Sequence, residues 1–183
     1  MSEGGSVVMG TGRLNPFTRG HKALVEKLKE AAQEFKARPI LFIIDGEKTS
    51  LDKRKNPLTG DQRSQLVRRL YPDLDVDVVS SPFEALEVLD LQGLKPKAWV
   101  VGSDRAKGYQ RLIISENLDC KMEILDRHSG QAPGISATGA RNAALENNME
   151  EFARHMPPEL SSDELATIAG MIREVNHGRR EQE

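Results

Sequence analysis

Short apolar runs rich in β-branched residues alternate along this chain with longer stretches of helical period. The runs fall at 7–10, 40–45, 76–80, 98–102 and 122–125 and predict strands. Helical spacing at 21–35, 60–70, 82–91 and 106–114 predicts a crossover after each of the first four. Strand and helix taken in turn argue for a parallel sheet covered by helices, an α/β domain of doubly wound type. Right-handed crossovers favour the strand order 3-2-1-4-5, which makes the first and fourth strands neighbours. Their connections leave in opposite directions, so a crevice opens at their carboxyl ends, where open α/β sheets bind ligands.

Local signals sharpen several boundaries. Ser81, Pro82 and Glu84 form an N-cap, a first-turn proline and an S-x-x-E capping box for the third helix. After the fifth strand, 126–134 reads as a polar loop. Ser136 caps a helix to about 147, a short helix follows at 149–156, Pro157 and Pro158 end it, and Ser162 caps a last amphipathic helix to about 176. The tail 177–183 is expected to fray. The 183 residues thus read as a single domain, with a core at 6–147 and a helical appendage at 148–176.

Composition narrows the function. A net charge of −2 supplies no field that gathers nucleic acid, so a nucleic-acid partner is not expected. Arg68 and Arg69 read as a solvated helix face. The single cysteine, Cys120, excludes an intramolecular disulfide, fits a reducing cytoplasm and abuts a strand, where it reads as a packing residue. No apolar segment is long enough to span a bilayer and the amino terminus is unlike a signal peptide, so the expectation is a cytoplasmic protein with no membrane partner. Self-association is left open.

The most informative stretch is Gly12-Arg13-Leu14-Asn15-Pro16-Phe17-Thr18-Arg19-Gly20-His21, which joins the first strand to the first helix. Glycine there lets backbone approach an anion, and a helix N-terminus offers unpaired N–H groups to phosphate. Neither the Walker spacing nor a full G-x-G-x-x-G is present, because Asn15 stands where the third glycine would be. The stretch resembles the T/H-x-G-H signature of the nucleotidyltransferase superfamily, which includes phosphopantetheine, nicotinamide mononucleotide and cytidylyl transferases. Thr18 stands where many members carry a first histidine, and some members carry threonine. Ile135-Ser136-Ala137-Thr138-Gly139-Ala140-Arg141 resembles the I-S-[ST]-T-x-x-R segment of the same enzymes. Lys55-Asn56-Pro57-Leu58-Thr59-Gly60-Asp61-Gln62-Arg63 resembles a K-N-P-F-T-x-x-E-R segment of archaeal-type nicotinamide mononucleotide adenylyltransferases, and Gly102-Ser103-Asp104 resembles their G-[AS]-D element. The tail at 149–175 is similar to the C-terminal helices of bacteriophage-encoded cytidylyltransferase-like proteins.

The resemblance implies a Rossmann-like fold and transfer of a nucleoside monophosphate from ATP or CTP to a phosphorylated small molecule, with Mg2+ as cofactor and pyrophosphate as product. Such a reaction needs donors placed around phosphate rather than a protein nucleophile. His21, Thr18 and Arg141 are the expected catalytic contacts, with His21 donating to the α-phosphate or the bridging oxygen and Arg141 clamping the leaving pyrophosphate. Gly12, Arg13, Asn15, Gly20, Gly102, Asp104, Ser136 and Thr138 are expected to bind the nucleotide. Ser136 and Thr138 meet its β- and γ-phosphates at a helix N-terminus. Asp104 accepts from a ribose hydroxyl, helps hold magnesium or simply caps the helix that follows. Lys55 and Arg63 are expected to bind substrate, with Thr59 capping the second helix and Arg63 directed back toward the capped end, where it holds the acceptor's phosphate or the triphosphate; the metal ligands are not identified. His128, His155 and His177 have no motif neighbours and are expected to be non-catalytic, while Leu89, Trp99 and Leu165 read as core. The Lys55 to Arg63 match favours adenylyl transfer to a nicotinamide-mononucleotide-like acceptor. Cytidylyl transfer to a sugar or alditol phosphate is the alternative, and a nucleotide-binding module without turnover is the rival of a different class.

Overall fold

A computed structural model describes residues 5–125 and 134–180, with side chains described as far as Asn176. Most of the expected loop at 126–134, with His128, lies outside the described residues, as do the side chain of His177 and the last three residues. Strands β1 (Ser6–Gly12), β2 (Arg38–Ile44), β3 (Asp75–Val79), β4 (Lys95–Gly102) and β5 (Lys121–Leu125) form one sheet in the order β3-β2-β1-β4-β5. Every neighbouring pair is parallel. The Rossmann-like order expected from the crossovers is the order observed.

Alternation along each strand divides the interior into two layers. Val8, Leu41, Ile43, Ala98 and Val100 point to one face, against Leu24, Val25 and Leu28 of α1 (Lys22–Phe35) and Leu66 and Val67 of α2 (Gly60–Leu70). Val7, Met9, Ile40, Phe42, Trp99 and Val101 point to the other, against Ala85 and Leu89 of α3 (Pro82–Leu91) and Leu112 and Ile113 of α4 (Ala106–Ser115). Helices α5 (Ala137–Leu145), α6 (Met149–His155) and α7 (Ser162–Arg180) extend the first layer through Ala140, Ala143, Phe152 and Ile172. The appendage is therefore continuous with the core. Leu165 packs against its edge, and Cys120 lies half-buried beside the second layer, where burial pushes its thiol up to about 11.

Several caps follow the sequence. Thr59 Oγ1 accepts the Gln62 N–H at 3.0 Å while Gln62 Oε1 accepts the Thr59 N–H at 2.9 Å, a reciprocal box that starts α2 where expected. Ser136 Oγ accepts the Gly139 N–H at 2.9 Å and starts α5. Ser81 caps α3, but Glu84 reaches past it to the N–H and hydroxyl of Ser80, so the expected box is displaced by one residue. The cap of α7 is likewise Ser161 rather than Ser162: its hydroxyl accepts from the Glu164 N–H and its N–H donates to Glu164 Oε1. That helix continues through Arg180, beyond the expected end near 176 and into the tail expected to fray, with Gly178 carried inside it although glycine commonly ends a helix.

One polar pair is sealed inside the second layer. Trp99, fully buried, donates its indole N–H to Thr11 Oγ1 at 3.0 Å across β4 and β1. Trp99→Phe keeps most of the apolar area and removes the donor, so it is expected to cost about 1–2 kcal/mol and lower Tm by roughly 2–8 °C in thermal unfolding. An unchanged Tm would show that the pair contributes nothing to stability.

Candidate functional site at the carboxyl edge of the sheet

The turn after β1 is built around His21. Thr18 Oγ1 and the Thr18 N–H both meet His21 Nδ1, at 3.1 and 2.9 Å, and the His21 N–H returns to the Thr18 carbonyl at 3.0 Å. A backbone N–H can only donate, so Nδ1 accepts and the ring proton sits on Nε2. Phe17, wholly buried, supports the ring with centroids 5.6 Å apart. Thr18 is itself 2% exposed, and its polar atoms serve His21. Expected to touch phosphate, Thr18 instead orients the group beside it. Gly20 is buried in the 3-10 turn Arg19–His21, and the space beside Gly12 is occupied by the Leu14 side chain, 3.1 Å from where a Cβ would stand.

Asn15 also departs from expectation. Its Nδ2 donates to the Leu58 carbonyl at 3.0 Å and its Oδ1 accepts the Leu58 N–H at 2.9 Å, so a side chain expected at the nucleotide pairs like backbone with a loop 43 residues away. Buried to 2% exposure, it fastens the β1 turn to the segment before α2.

Arg63 completes that fastening. Its Nε donates to the Thr59 carbonyl at 3.2 Å, one terminal nitrogen to the carbonyls of Arg13 and Ile44 at 2.6 and 3.0 Å, and the other to Asp45 Oδ1 at 2.7 Å. The side chain points back toward the capped end of α2, as its register predicts, but ends 1% exposed among protein acceptors. The expectation that it holds the acceptor's phosphate or the triphosphate is corrected accordingly: its three nitrogens all donate to protein, at the Thr59 carbonyl, the carboxyl end of β2 and the start of the β1 turn. Gly60 makes the approach possible, since a Cβ there would come within 2.6 Å of Val78 and 2.9 Å of Asp45 Oδ2.

Two further arginines stand around this strut. Arg13 is exposed and reaches Asn56 Oδ1 at 3.4 Å. Arg141, on the first turns of α5, donates to the Asn15 carbonyl at 2.9 Å and to Thr138 Oγ1 at 3.1 Å, which ties α5 to the β1 turn across 126 residues. Burial lowers the pKa of Arg141, Arg13 lowers it further, and Asp52 opposes both. Arg63 is lowered by burial, with Asp45 opposing and Arg13 adding to the shift. Arg63 and Arg141 remain guanidinium ions, and the unfavourable influence of Arg13 on both makes this a place where an anion is stabilised. Ser136 and Thr138 are exposed at the α5 N-terminus beside them.

The remaining expected residues are more loosely placed. Gly102 ends β4, Ser103 bonds back to the Leu125 carbonyl at 3.1 Å, and Asp104 lies exposed in the turn. Asp104 does not cap α4, whose N-cap position is Arg105. Lys55 is exposed, in a turn held by Asp52 Oδ1, which accepts the Arg54 and Lys55 N–H groups at 3.1 and 3.4 Å. Sequence reasoning missed Asp45 and Asn56 as parts of the site. For Asp45 a signal existed: an acid ending the apolar run of a central strand has a partner or a function. Asn56, whose Nδ2 donates to the Thr49 carbonyl at 2.7 Å, lies inside the Lys55 to Arg63 segment, from which only Lys55, Thr59 and Arg63 are assigned roles by sequence.

Because Arg63 is a buried strut, Arg63→Lys is expected to destabilise the fold. Lysine reaches one or two of the acceptors, leaving Asp45 and a carbonyl short of partners, and breaking a buried pair costs about 3 kcal/mol. Denaturant unfolding measures this; a variant as stable as wild type would return Arg63 to the role of substrate ligand.

With that geometry established, comparison with known proteins gives a consistent result. A family model for cytidylyltransferase-like proteins matches residues 9–143. No curated protein matches the sequence significantly. Among solved structures, the fold is shared with TmcAL from Thermotoga maritima, determined bound with alpha-thio ATP, at a TM-score of 0.59 and 17% identity over 95% of this chain and 57% of that one. It is shared also with a macrolide-efflux protein from Streptococcus pneumoniae, at a TM-score of 0.58 and 17% identity over 82% of this chain and 56% of that one. The chain thus spans little more than half the length of either. The family match takes in both the His21 turn and the segment from Ser136 to Arg141, and on that match the chain belongs to the cytidylyltransferase-like family.

Proposed function

We propose that the protein is a nucleotidyltransferase that moves a nucleoside monophosphate from ATP or CTP onto a phosphorylated small molecule and releases pyrophosphate. An acceptor phosphate oxygen bonds to the α-phosphorus while the bond from that phosphorus to the bridging oxygen breaks, and the electron pair leaves with pyrophosphate. The observation that carries this reading is the fixed tautomer of His21: Nδ1 accepts from Thr18, which puts the ring proton on Nε2, in the same β1 turn whose Asn15 carbonyl receives Arg141 from α5. Such a donor stabilises charge on the α-phosphate as it passes in line between two oxygens. Arg141, Ser136 and Thr138 hold the β- and γ-phosphates, and Arg13 adds positive charge at the mouth.

Adenylyl transfer is the first form of this proposal, with a nicotinamide-mononucleotide-like acceptor near Lys55. It is supported by the resemblance at Lys55 to Arg63 and by the alpha-thio ATP bound to the TmcAL neighbour. Cytidylyl transfer to a sugar or alditol phosphate is the second form, favoured by the family's own name. Magnesium fits best as an ion carried on the nucleotide's phosphates. Among the described residues there is no group of three or more histidine, cysteine, aspartate or glutamate side chains placed to hold a metal, and Mg2+ commonly binds through phosphates, waters and at most one or two carboxylates.

Pyrophosphate release from ATP and from CTP, with a panel of phosphorylated acceptors, tests the proposal. Turnover with one pair and none without acceptor is the expected result; no release with any pair would favour a binding module. On the active pair, His21→Ala is expected to lower kcat by at least about a hundredfold, roughly 3 kcal/mol of transition-state stabilisation, with the fold retained. Near wild-type turnover would remove His21 from the mechanism.

Arg141→Ala is expected to weaken triphosphate binding far more than monophosphate binding, measured by calorimetry, because its guanidinium lies on the α5 side of the site. Equal losses for the two ligands would contradict that placement.

A further inference from the structure

The appendage meets the site through α6, which lies outside the stretch matched by the family model. His155, at its end, is 2% exposed. Its Nδ1 accepts the Ser136 N–H at 3.1 Å, which leaves the ring proton on Nε2, and Nε2 donates to Glu151 Oε1 at 3.1 Å. Arg154 donates to the same carboxylate and to the Gly134 carbonyl at 3.3 Å, and its hydrogen bond is the main reason that the Glu151 pKa falls to about 2. The His155 ring also lies directly beneath α5. A Cβ at Gly139 would stand 2.6 Å from His155 Nε2, so only glycine lets the first turn of α5 rest there. At the same end of α6, Arg19 of the β1 turn donates to the carbonyls of Met156 and Ala153 at 3.2 and 3.5 Å, so one short stretch touches both the β1 turn and the start of α5.

We propose that α6 sets the spacing between the two phosphate-facing turns, with His155 as a positioning residue that seats the N-terminus of α5 for the triphosphate. Ser136 caps that helix, and its own N–H is held from outside the helix by His155; losing that acceptor frees the cap, and with it the N–H groups and hydroxyls that meet phosphate. His155 touches no substrate in this arrangement and acts through Ser136 and Gly139. The inference rests on the function proposed above, and specifically on the placement of the triphosphate at α5.

The test measures binding of ATP, CTP, AMP and CMP to the full chain by calorimetry, with amide hydrogen exchange at Ser136. Loss of one hydrogen bond at the cap in His155→Ala is expected to raise Kd for the bound triphosphate about tenfold, to leave that for its monophosphate within about twofold, and to speed exchange at Ser136. His155→Asn, whose Oδ1 can stand in for Nδ1 as acceptor, is expected to recover most of the loss. Gly139→Ala, which displaces the ring without touching its chemistry, is expected to reproduce the triphosphate-selective loss, and it decides the matter if His155→Ala does not fold. Triphosphate affinity unchanged in the folded variants, equal losses for mono- and triphosphate, or no rescue by asparagine would overturn the positioning role while leaving the proposed function standing. Failure of the wild type to bind either triphosphate would instead bring down that function, and this inference with it.

Discussion

The buried guanidinium of Arg63 is the constraint on which the carboxyl edge of the sheet depends. A cation withdrawn to 1% exposure must have its donors matched, because an unmatched one loses hydration without recompense. The acceptors come from three places: the carbonyl that starts the β1 turn, the end of β2 with Asp45, and the first turn of α2. Satisfying one side chain therefore fixes the relative positions of all three. Asn15 repeats the logic without charge, joining the β1 turn to Leu58 through both ends of its amide. Two buried side chains thus hold the turn so that Thr18 can hold His21.

That arrangement also explains how a chain of net charge −2 gathers positive charge at one edge of its sheet. Arg63 is neutralised mainly by Asp45, whereas Arg13 and Arg141 are set near each other with only partial compensation from Asp52. Arg13 disfavours the charge on Arg141, and burial of Arg141 reduces the screening that water would supply. A polyanion entering there relieves repulsion as well as forming hydrogen bonds. The field is local, so a net charge close to zero does not conflict with a concentration of positive charge at one edge of the sheet.

The fold was legible in the sequence because its signals are local and repeated. Strand runs, helical spacing and the chirality of crossovers lead to the sheet order without any long-range information. The site was legible in part. His21 and the segment from Ser136 to Arg141 follow strands and open helices, so the topology brings them to one edge. Arg63 shows where such reasoning stops. Its register directs the side chain back along α2, which the Nε bond to Thr59 bears out, but its partners at Arg13 and Asp45 lie 50 and 18 residues away. Asn15 and Thr18 were drawn toward phosphate by the motif around them, although their polar atoms meet protein. A polar residue in a binding motif can serve either the ligand or the residue that holds the ligand, and the spacing of the motif is the same in both cases.

These two duties have different physical requirements. A side chain that supports the site does so best when buried and saturated, since water cannot then compete for its partners and its geometry is fixed before any ligand arrives. A side chain that binds phosphate must stay accessible and cannot spend every donor on protein. Arg63 and Asn15 meet the first description, Arg13 the second. Arg141 stands between them, half-buried, with one terminal nitrogen on the Asn15 carbonyl and the other on the Thr138 hydroxyl. The first bond anchors the guanidinium to the framework, and the second is to an exposed hydroxyl that a phosphate oxygen can replace as acceptor. Preorganisation of the site is therefore graded from the interior outward, and the ordering follows from how much water each arginine has lost.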